Sequence, residues 1–298
     1  MDVSIIIVNY NTKQLTEACL NSIKEKTDGI TYEIILVDNA STDGSVDFFK
    51  QRNDICFISQ QKNLGFGKAN NLGIKYASGK YVFLLNSDTY LYNNAIKMFF
   101  DYCERNQDKH IGAVGCLLKD ANLQRTHSFA NFPKIRKVLF ARIISPLFKI
   151  CGKTYNTLDK NFLIKDHPFK VDYVTGADLF IKKSLIEEYG AFDPDFFMYF
   201  EETEMQYRLT KAGYNSYILP TPGIVHLEGG SIKKTKKNVK KMLMVQRSQF
   251  LYFKKTASQF SYISYRFLFV LLRLPFILFS SLTKQEKKDY WHLLISKI

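Results

Sequence analysis

Two acidic motifs in this chain could do chemistry, and the first follows an apolar run. Leu84 and Leu85 lead into Asn86, Ser87 and Asp88. A carboxylate at the end of a buried strand is well placed to hold a divalent cation, because hard cations such as Mg²⁺ take few protein carboxylates together with phosphate oxygens. The same polar residues are typical of a turn. The motif alone leaves both interpretations open.

The second motif places three acids at a predicted helix start. Glu201, Glu202 and Glu204 follow five apolar residues at 196–200. Acids in a first helical turn complement the helix dipole, worth about 0.3–1 kcal/mol each. Repulsion among three acids suggests a further use, because a carboxylate beside an apolar wall can have the raised pKa of a general base. Dipole complementation and catalysis both stay open.

Two polar stretches could bind a nucleotide. Asp38 and Asn39 follow an apolar run, where a carboxylate and an amide can read the hydrogen-bonding edge of a nucleobase or form an Asx-turn that caps the next helix. Asn63, Gly65 and Lys68 precede a predicted helix whose N-terminal amides would attract phosphate. Their spacing matches neither the Walker motif nor the glycine pattern of dinucleotide-binding proteins.

His226 lies between two apolar residues at a predicted strand end. A histidine there is typical of a hydrogen-bonded, half-buried side chain. Its imidazole could instead complete a metal site begun by Asp88. A hydrolase triad is not indicated, since the chain lacks the nucleophile-elbow motif that such enzymes use.

The hydrophobic pattern predicts a scaffold that brings these residues together. Predicted helices alternate with predicted buried strands at 3–8, 32–37, 55–59 and 81–85. This order is typical of an α/β fold with a mostly parallel sheet and helices on both faces. Ligands bind such sheets beyond the carboxyl ends of the strands. That is where the polar stretches 9–12, 38–43 and 86–88 fall.

The second half of the chain has a mixed pattern. Helices are predicted at 95–105, 183–189, 202–212 and 243–253, and strands at 113–118, 173–180 and 217–219. Residues 125–170 are predicted to be irregular, and residues 225–230 to form a loop.

Positive charge is concentrated at the C-terminal end. The formal net charge is +14, and residues 233–298 contain fifteen Lys and Arg against two acids. The same segment includes an apolar stretch at 260–282, in which Arg266, Arg273 and Ser280 recur every seven residues and so fall near one helical face. This pattern favours a basic amphipathic helix in the plane of a membrane. A spanning helix, a helical cap and a dimer contact stay open, while the long apolar run argues against a nucleic-acid-binding protein.

Seven stretches, taken in order, resemble the family 2 glycosyltransferases, in particular the bacterial rhamnosyltransferase-like branch with the GT-A fold. They cover roughly residues 3–231 with the family's order and spacing. The stretches are VSIIIVNYN (3–11), VDNASTDGS (37–45), NLGFGKANN (63–71), LLNSD (84–88), TGA (175–177), GAFDPDFFMYFEETE (190–204) and HLEGGS (226–231).

The resemblance implies an inverting transferase that moves a sugar, with rhamnose favoured, from a nucleotide diphosphate to an acceptor hydroxyl. Asp88 and His226 would hold a divalent cation, Mg²⁺ or Mn²⁺, and Glu202 would be the general base. The remaining motif positions would bind the nucleotide sugar: Tyr10, Asp38, Asn39, Asn63, Gly65, Lys68, Asn86 and Gly176.

Two departures from the family pattern matter. Asn86 stands where the family's metal motif has its first acid, so the metal would rest on fewer charged ligands. The family's Glu-Asp pair is Glu201-Glu202 here, and Glu201 or Glu204 could share the role of base. The alternatives are a catalytically inactive nucleotide-sugar-binding protein and a transferase that uses a UDP-hexose donor.

We expect three segments and a cytoplasmic protein held peripherally at the inner face of the cell membrane. Residues 1–105 would bind the nucleotide sugar, residues 106–232 would bind the acceptor and carry the base, and residues 233–298 would form the basic helical tail. The expected partners are a nucleotide-diphosphate sugar, a glycan or polyprenyl-linked acceptor of cell-surface polysaccharide synthesis, an anionic membrane surface and a possible homodimer copy. No nucleic-acid partner is expected.

Overall fold

The structure, a computed structural model, describes residues 1–150, 165–227 and 239–296. Its contacts divide the chain into two compact units. The described part of the first unit is 1–131, 165–197 and 201–227, and that of the second is 132–150, 198–200 and 239–296. The division into three functional segments stays a prediction.

The described residues form an α/β arrangement of strands and helices. The strands are β1 (Val3–Asn9), β2 (Tyr32–Asp38), β3 (Cys56–Ser59), β4 (Tyr81–Asn86), β5 (Thr89–Leu91), β6 (Ile111–Cys116), β7 (Phe129–Ala130), β8 (Phe169–Val171), β9 (Tyr173–Val174), β10 (Asp178–Lys182), β11 (Asn215–Leu219) and β12 (Ile224–His226). The helices are α1 (Lys13–Lys26), α2 (Ser45–Phe49), α3 (Phe66–Ile74), α4 (Ala95–Arg105), α5 (Ile135–Ile150), α6 (Lys183–Tyr189), α7 (Glu201–Lys211), α8 (Val239–Thr256), α9 (Gln259–Phe279) and α10 (Lys284–Ile295).

An eight-stranded sheet organises the first unit. Its order is β3-β2-β1-β4-β10-β6-β11-β8, and every strand except β10 and β8 runs in one direction. Two small antiparallel pairs, β12-β5 and β7-β9, accompany it. The predicted mostly parallel sheet is therefore confirmed, and the carboxyl ends of β1, β2 and β4 lie side by side.

Helices cover both faces of this sheet because successive side chains of a buried strand point to opposite sides. Ile5 and Ile7 of β1 join the main apolar core, which includes residues of α1 and α4. Ile6 faces the other way, where α3 approaches so closely that a Cβ on Gly73 would lie 2.5 Å from its Cγ2 atom. Only a glycine lets the helix backbone reach the sheet at that point.

The second unit is helical, and aromatic side chains form its core. Phe250 of α8 and both Tyr265 and Phe269 of α9 are fully buried. Their ring centroids lie 5.2–5.8 Å apart in edge-on or tilted pairs, the arrangements that aromatic quadrupoles favour. Helices α5 and α10 also pack against α9.

Several predicted elements are confirmed, and three predicted segments differ from the structure. Helices at 95–105 and 183–189 have the predicted bounds. The prediction that 125–170 are irregular was wrong, because this segment contains α5 and short strands. Residues 151–164 of it lie outside the described residues. The strand at 173–180 is split in two at 175–177. The loop at 225–230 begins inside β12, and 228–230 lie outside the described residues.

Candidate functional site

A buried polar network ties the carboxyl ends of three parallel strands together. Asn9 is fully buried at the end of β1, and its Nδ2 donates to Asp38 Oδ2 at the end of β2 over 2.6 Å. Its Oδ1 accepts from the hydroxyls of Thr12 and Thr16, each at 2.8 Å. Thr12 in turn shares a 3.1 Å hydrogen bond with Ser87, which follows β4. The structure thus brings the three predicted polar stretches to one place.

Asp38 and Asn39 shape the loops at this edge. Asp38 is fully buried, and its second oxygen accepts from the backbone N–H of Ser41 at 2.9 Å. The amide of Asn39, which is 3% exposed, donates to Asn63 at 3.0 Å and accepts from the backbone N–H of Leu64 at 2.8 Å. Both side chains are buried, and their predicted contact with a nucleobase stays a prediction.

The segment before α3 is fixed by a close backbone contact. Gly65 has a φ of +84°, and a Cβ there would lie 2.2 Å from the carbonyl oxygen of Phe197. That carbonyl accepts from the N–H of Phe66 over 2.8 Å. Lys68 is exposed in the first turn of α3, and Tyr10 is 42% exposed beyond β1. Both are accessible to a ligand.

Glu202 lies in the first turn of α7 beside Gly176. A Cβ built on Gly176 would lie 3.7 Å from the Cβ of Glu202 and 3.5 Å from the ring of Phe66. Burial raises the pKa of Glu202 to about 7, although backbone N–H groups of Glu202 and Thr203 that donate to it lower the pKa. A carboxylate with such a pKa suits a general base near neutral pH.

The other two acids of α7 have different surroundings. Both oxygens of Glu204 accept from Arg208 Nε, at 2.8 and 3.0 Å. Arg208 also donates to the backbone carbonyl of Ala191 at 2.6 Å, so this pair attaches α7 to the preceding loop. Glu201 is 2% exposed and lies beside Gly67 of α3. The three acids thus occupy three distinct environments.

Asp88 and His226 meet because β5 and β12 pair. The antiparallel register sets His226 opposite Thr89, and the N–H of Leu227 donates to the backbone carbonyl of Asp88 at 2.9 Å. His226 Nε2 lies 3.2 Å from Asp88 Oδ1 and 3.3 Å from the side-chain nitrogen of Asn86. The side chains of Asp88 and His226 are each 14% exposed.

This pair can supply part of a metal site. Across the described residues, no group of three or more His, Cys, Asp or Glu side chains could hold a metal ion. Within the described residues this pair offers two donors, an imidazole and a carboxylate of the kind that suits Mn²⁺ or Mg²⁺. Cations of this kind commonly complete their coordination with substrate phosphates. The donor set fits a cation that binds with a diphosphate.

Comparison with known proteins identifies the family of this chain. The family model described as "Glycosyl transferase family 2" matches residues 4–165, more than half of the chain. The chain belongs to this family.

Curated relatives share parts of the chain. A poly(ribitol-phosphate) beta-glucosyltransferase from Bacillus spizizenii is 34% identical over 113 residues, which cover 36% of this chain and 18% of that protein. The chain therefore spans less than a fifth of that relative. An N-acetylglucosaminyl-diphospho-decaprenol L-rhamnosyltransferase from Mycobacterium tuberculosis is 24% identical over 234 residues, covering 74% of this chain and 75% of the relative.

Solved structures share the fold. The mannosyltransferase PcManGT from Pyrobaculum calidifontis, in complex with GDP-Man and Mn²⁺, has a TM-score of 0.56 at 16% identity, covering 99% of this chain and 76% of that one. Residues 1–349 of TarS from Staphylococcus aureus give 0.53 at 14% identity, covering 99% and 81%. The GT-A fold expected from the sequence is confirmed.

One buried residue of this family 2 chain was missed by sequence reasoning. Gln206 is fully buried on α7, and its amide exchanges two 2.8 Å hydrogen bonds with the backbone of Val174 in β9. Its oxygen also accepts from Ser216 of β11 at 3.0 Å. Gln206 thereby holds α7 beside the strand that leads to Gly176. The only sequence signal was a polar residue one helical turn after Glu202.

A second missed residue is Asp178, an acid within the apolar strand β10. It is fully buried, and it accepts from the backbone N–H of Cys116 at 2.6 Å. Burial raises the pKa of Asp178 to about 7, while that N–H and the charge of His226 lower the pKa. An acid in an otherwise apolar run was the available signal.

We expect Gln206→Ala to reduce the free energy of unfolding by roughly 2–4 kcal/mol, because it leaves the buried N–H and C=O of Val174 without partners. Urea unfolding followed by circular dichroism measures this. Ser216→Ala is the matched control, since it removes one hydrogen bond and leaves the bonds to Val174. Equal losses in the two variants would contradict the assigned role of Gln206.

Glu202→Gln should become more stable than the wild type as pH rises. The pKa of Glu202 is about 7 in the folded chain against an ordinary value of 4.5, so ionisation between those values costs the folded state stability. The variant avoids that cost, and the difference should reach about 1–3 kcal/mol at pH 8 and vanish near pH 4.5. Thermal denaturation across this range tests it, and a pH-independent difference would refute it.

Proposed function

We propose that this protein is an inverting glycosyltransferase that moves a sugar, with rhamnose favoured, from a nucleotide diphosphate to a hydroxyl of a glycan or lipid-linked acceptor. The observation that carries the proposal is that the first unit contains two chemical groups that such a reaction needs. One is the half-buried carboxylate of Glu202 with a raised pKa, and the other is the Asp88–His226 pair beyond the carboxyl end of β4. An inverting transfer needs a base for the acceptor and a place for the diphosphate.

The chain's own residues account for the steps. Glu202 takes the proton of the acceptor hydroxyl, and the acceptor oxygen forms a bond to the anomeric carbon from the face opposite the diphosphate. The bond from that carbon to the phosphate oxygen breaks, and its electron pair leaves with the diphosphate. A divalent cation held by Asp88 and His226 would neutralise the charge that gathers there. No enzyme nucleophile is needed, so Glu202 alone moves a proton.

The names of the relatives support the acceptor and leave the donor sugar open. The M. tuberculosis relative is named for a diphospho-decaprenol acceptor and for rhamnose. The B. spizizenii relative is named as a glucosyltransferase. We infer a lipid-linked or polymeric acceptor of cell-surface polysaccharide synthesis, with a UDP-hexose as the alternative donor. Lys68 in α3 and Tyr10 after β1 would contact the nucleotide sugar. They are the exposed members of the set of residues predicted to bind it.

Donor hydrolysis by the purified protein tests the reaction. We expect one member of a panel of dTDP-rhamnose, UDP-glucose, UDP-N-acetylglucosamine and GDP-mannose to be hydrolysed slowly with Mg²⁺ or Mn²⁺ but not with EDTA. Glu202→Gln should lower turnover with acceptor by about 10²–10⁴-fold, because general-base help is lost, while the donor Kd stays within about twofold. Donor binding without turnover in the wild type would instead favour the inactive binder, which Asn86 keeps open.

The cation site has its own test. Asp88→Asn should abolish Mn²⁺ binding in the presence of a nucleoside diphosphate, measured as free Mn²⁺ by electron paramagnetic resonance. Asn86→Asp is the matched opposite change: it adds a carboxylate 3.3 Å from His226 Nε2 and should tighten Mn²⁺ binding about tenfold or more. If neither variant changes Mn²⁺ binding, the cation does not bind at this pair.

We also propose that the second unit attaches the protein peripherally to an anionic membrane. Helix α9 has 21 residues and is long and apolar enough to cross a membrane by length and composition. Large apolar side chains on it are exposed, among them Phe260 at 82%, Phe267 at 65% and Phe279 at 86%. These residues would enter the acyl boundary of a membrane.

The arginines of α9 are compatible with this proposal because their guanidinium groups contact other residues of the second unit. Arg266 donates to the backbone carbonyls of Leu294 at 2.6 Å and Ser296 at 2.9 Å, beyond or within the last turn of α10. Arg273 lies over the rings of Phe276 and Tyr290, at 4.7 and 5.5 Å. The guanidinium group of Arg266 is therefore hydrogen-bonded within the unit, and that of Arg273 lies over aromatic rings there. Basic residues of the tail would add about 1 kcal/mol each near anionic lipid.

Phe267→Glu should weaken partition onto vesicles of phosphatidylglycerol and phosphatidylcholine by about tenfold or more, because it removes a large apolar group from the inserted face. Vesicle flotation measures this, and Gln285→Glu is the control, adding the same charge at an exposed position of α10. Release by alkaline carbonate is expected for peripheral attachment. Retention in carbonate would favour a spanning helix, and dimers without vesicle binding would favour a contact between copies.

A further inference from the structure

The buried acid of β10 lies where the pairing of β10 with β6 ends. Asp178 is the first residue of β10, and Cys116 is the last of β6. The register, with Phe180 opposite Val114, sets these two residues opposite each other. There the carboxylate of Asp178 accepts from the backbone N–H of Cys116 at 2.6 Å. A side chain thus joins the ends of the two strands.

An acid at this position is unfavourable for stability alone, because a carboxylate removed from water needs hydrogen-bond donors. Oδ2 of Asp178 accepts from Cys116, but Oδ1 has no hydrogen-bond partner among the described residues. The backbone leaves room for the group, since a Cβ on Gly115 would lie only 3.2 Å from Oδ2. An apolar side chain would cost less free energy here, so the acid indicates a role other than packing.

The chain that follows β6 leads directly to the strand that carries His226. Residues 117–119 form the extension of β6, and Lys119 pairs in parallel with Val225 of β12. The N–H of Lys119 donates to the carbonyl of Ile224 at 3.1 Å, and the N–H of His226 donates to the carbonyl of Lys119 at 2.8 Å. Strand β12 is therefore hydrogen-bonded to the extension of β6 at one edge and paired with β5 at the other.

The pair formed by β5 and β12 depends on this third neighbour. Each of the two strands has three residues, and a two-stranded pair by itself is marginally stable in water. Asp88 immediately precedes β5, and His226 ends β12. The 3.2 Å distance between Asp88 Oδ1 and His226 Nε2 therefore depends on how firmly β12 is held.

We propose that Asp178 is a positioning residue for His226: its carboxylate fixes the end of β6 to β10, so that Lys119 holds β12 where the imidazole faces Asp88. This inference rests on the proposed function for the role of His226 in cation binding. All of these residues belong to the first unit. Because Asp178 is fully buried and bonded to Cys116, its effect on a cation acts through His226.

Mn²⁺ binding in the presence of UDP or dTDP, measured as free Mn²⁺ by electron paramagnetic resonance, tests the proposal. We expect Asp178→Ala to weaken it about tenfold or more, because the N–H of Cys116 loses its acceptor and the end of β6 is released. Asp178→Asn keeps an oxygen that can accept this N–H and should bind Mn²⁺ as the wild type does. Equal losses in the two variants would assign the effect to charge and overturn the positioning role.

Lys119→Pro interrupts the same path at a second point. It removes the N–H that donates to Ile224 and leaves the side chains of Asp178, Asp88 and His226 in place. Mn²⁺ binding should weaken about tenfold in this variant as well. Unchanged binding would show that the extension of β6 does not position His226, and the proposal would be wrong.

Backbone hydrogen exchange followed by NMR tests the role of Asp178 without metal or turnover. The N–H of His226 should exchange about tenfold faster in Asp178→Ala, because its bond to Lys119 opens more often, and at the wild-type rate in Asp178→Asn. An unchanged rate in Asp178→Ala overturns the role of Asp178. A wild type that binds no Mn²⁺ with either diphosphate overturns the proposed cation site, and the exchange still decides on Asp178.

Ser4→Ala is the matched control in the same sheet. Ser4 is fully buried in β1, and its hydroxyl accepts from the backbone N–H of Gly79 at 2.8 Å. This variant removes a buried acceptor near the amino end of β1, away from the Asp88–His226 pair, so Mn²⁺ affinity and the exchange of the His226 N–H should stay at wild-type values. If Ser4→Ala and Asp178→Ala change both quantities equally, general loss of stability explains the effect and the proposal is wrong.

Discussion

The hydrogen bond between Asn9 and Asp38 is the interaction on which the site depends. Both side chains are fully buried, and a buried carboxylate requires donors because water cannot reach it. Asn9 supplies one donor at 2.6 Å and the backbone of Ser41 supplies the other at 2.9 Å. Apolar packing alone would align the strands but would not fix the ends of β1 and β2 relative to one another. The loops that surround the proposed donor site all begin from this fixed edge.

Helix α7 shows how one short acidic run can serve several purposes. Glu204 is neutralised by Arg208 and attaches the helix to the chain that precedes it. Gln206 fixes the same helix to β9. These two residues hold the helix in place, so the neighbouring Glu202 can be buried beside Gly176 at a cost in stability. A group with an unfavourable charged form persists because other contacts on the same helix offset its cost.

The sequence predicted the elements whose pattern is local. Buried apolar runs identified β1, β2 and β4, and glycines and polar residues marked their ends. It missed α5, because Pro133 and Pro146 broke the pattern of that segment. It predicted a helical tail at 233–298 without locating the start of α10, which has a capping box at Thr283. Residues at strand ends were predicted to gather, and Asp88 and His226 do meet.

The remaining parts of the site depend on distant pairings that the sequence pattern does not contain. The network around Asn39 requires residues 24 to 26 positions apart to meet, and the bonds of Gln206 to Val174 span 32 positions. Sequence pattern alone predicts that a polar residue lies at the surface or in a turn, because its hydrogen-bond partner is not known. That is why the hydrogen bonds that Asp38 and Asn39 make within the protein could not be predicted, and their contact with a nucleobase stays a prediction.

Arg266 has a consequence for how the tail can vary. It lies within the most apolar helix of the second unit, where a hydropathy profile counts it against membrane contact, yet it donates to the carbonyls of Leu294 and Ser296. A helix end leaves such carbonyls without partners and carries partial negative charge, so a guanidinium there stabilises α10. Mutations that made α9 uniformly apolar would remove the hydrogen bonds from Arg266 to the end of α10. Helix α10 would then be held less firmly, and the buried Tyr290 would become exposed. Selection on the fold of α10 would therefore retain a cation that lipid affinity alone would remove.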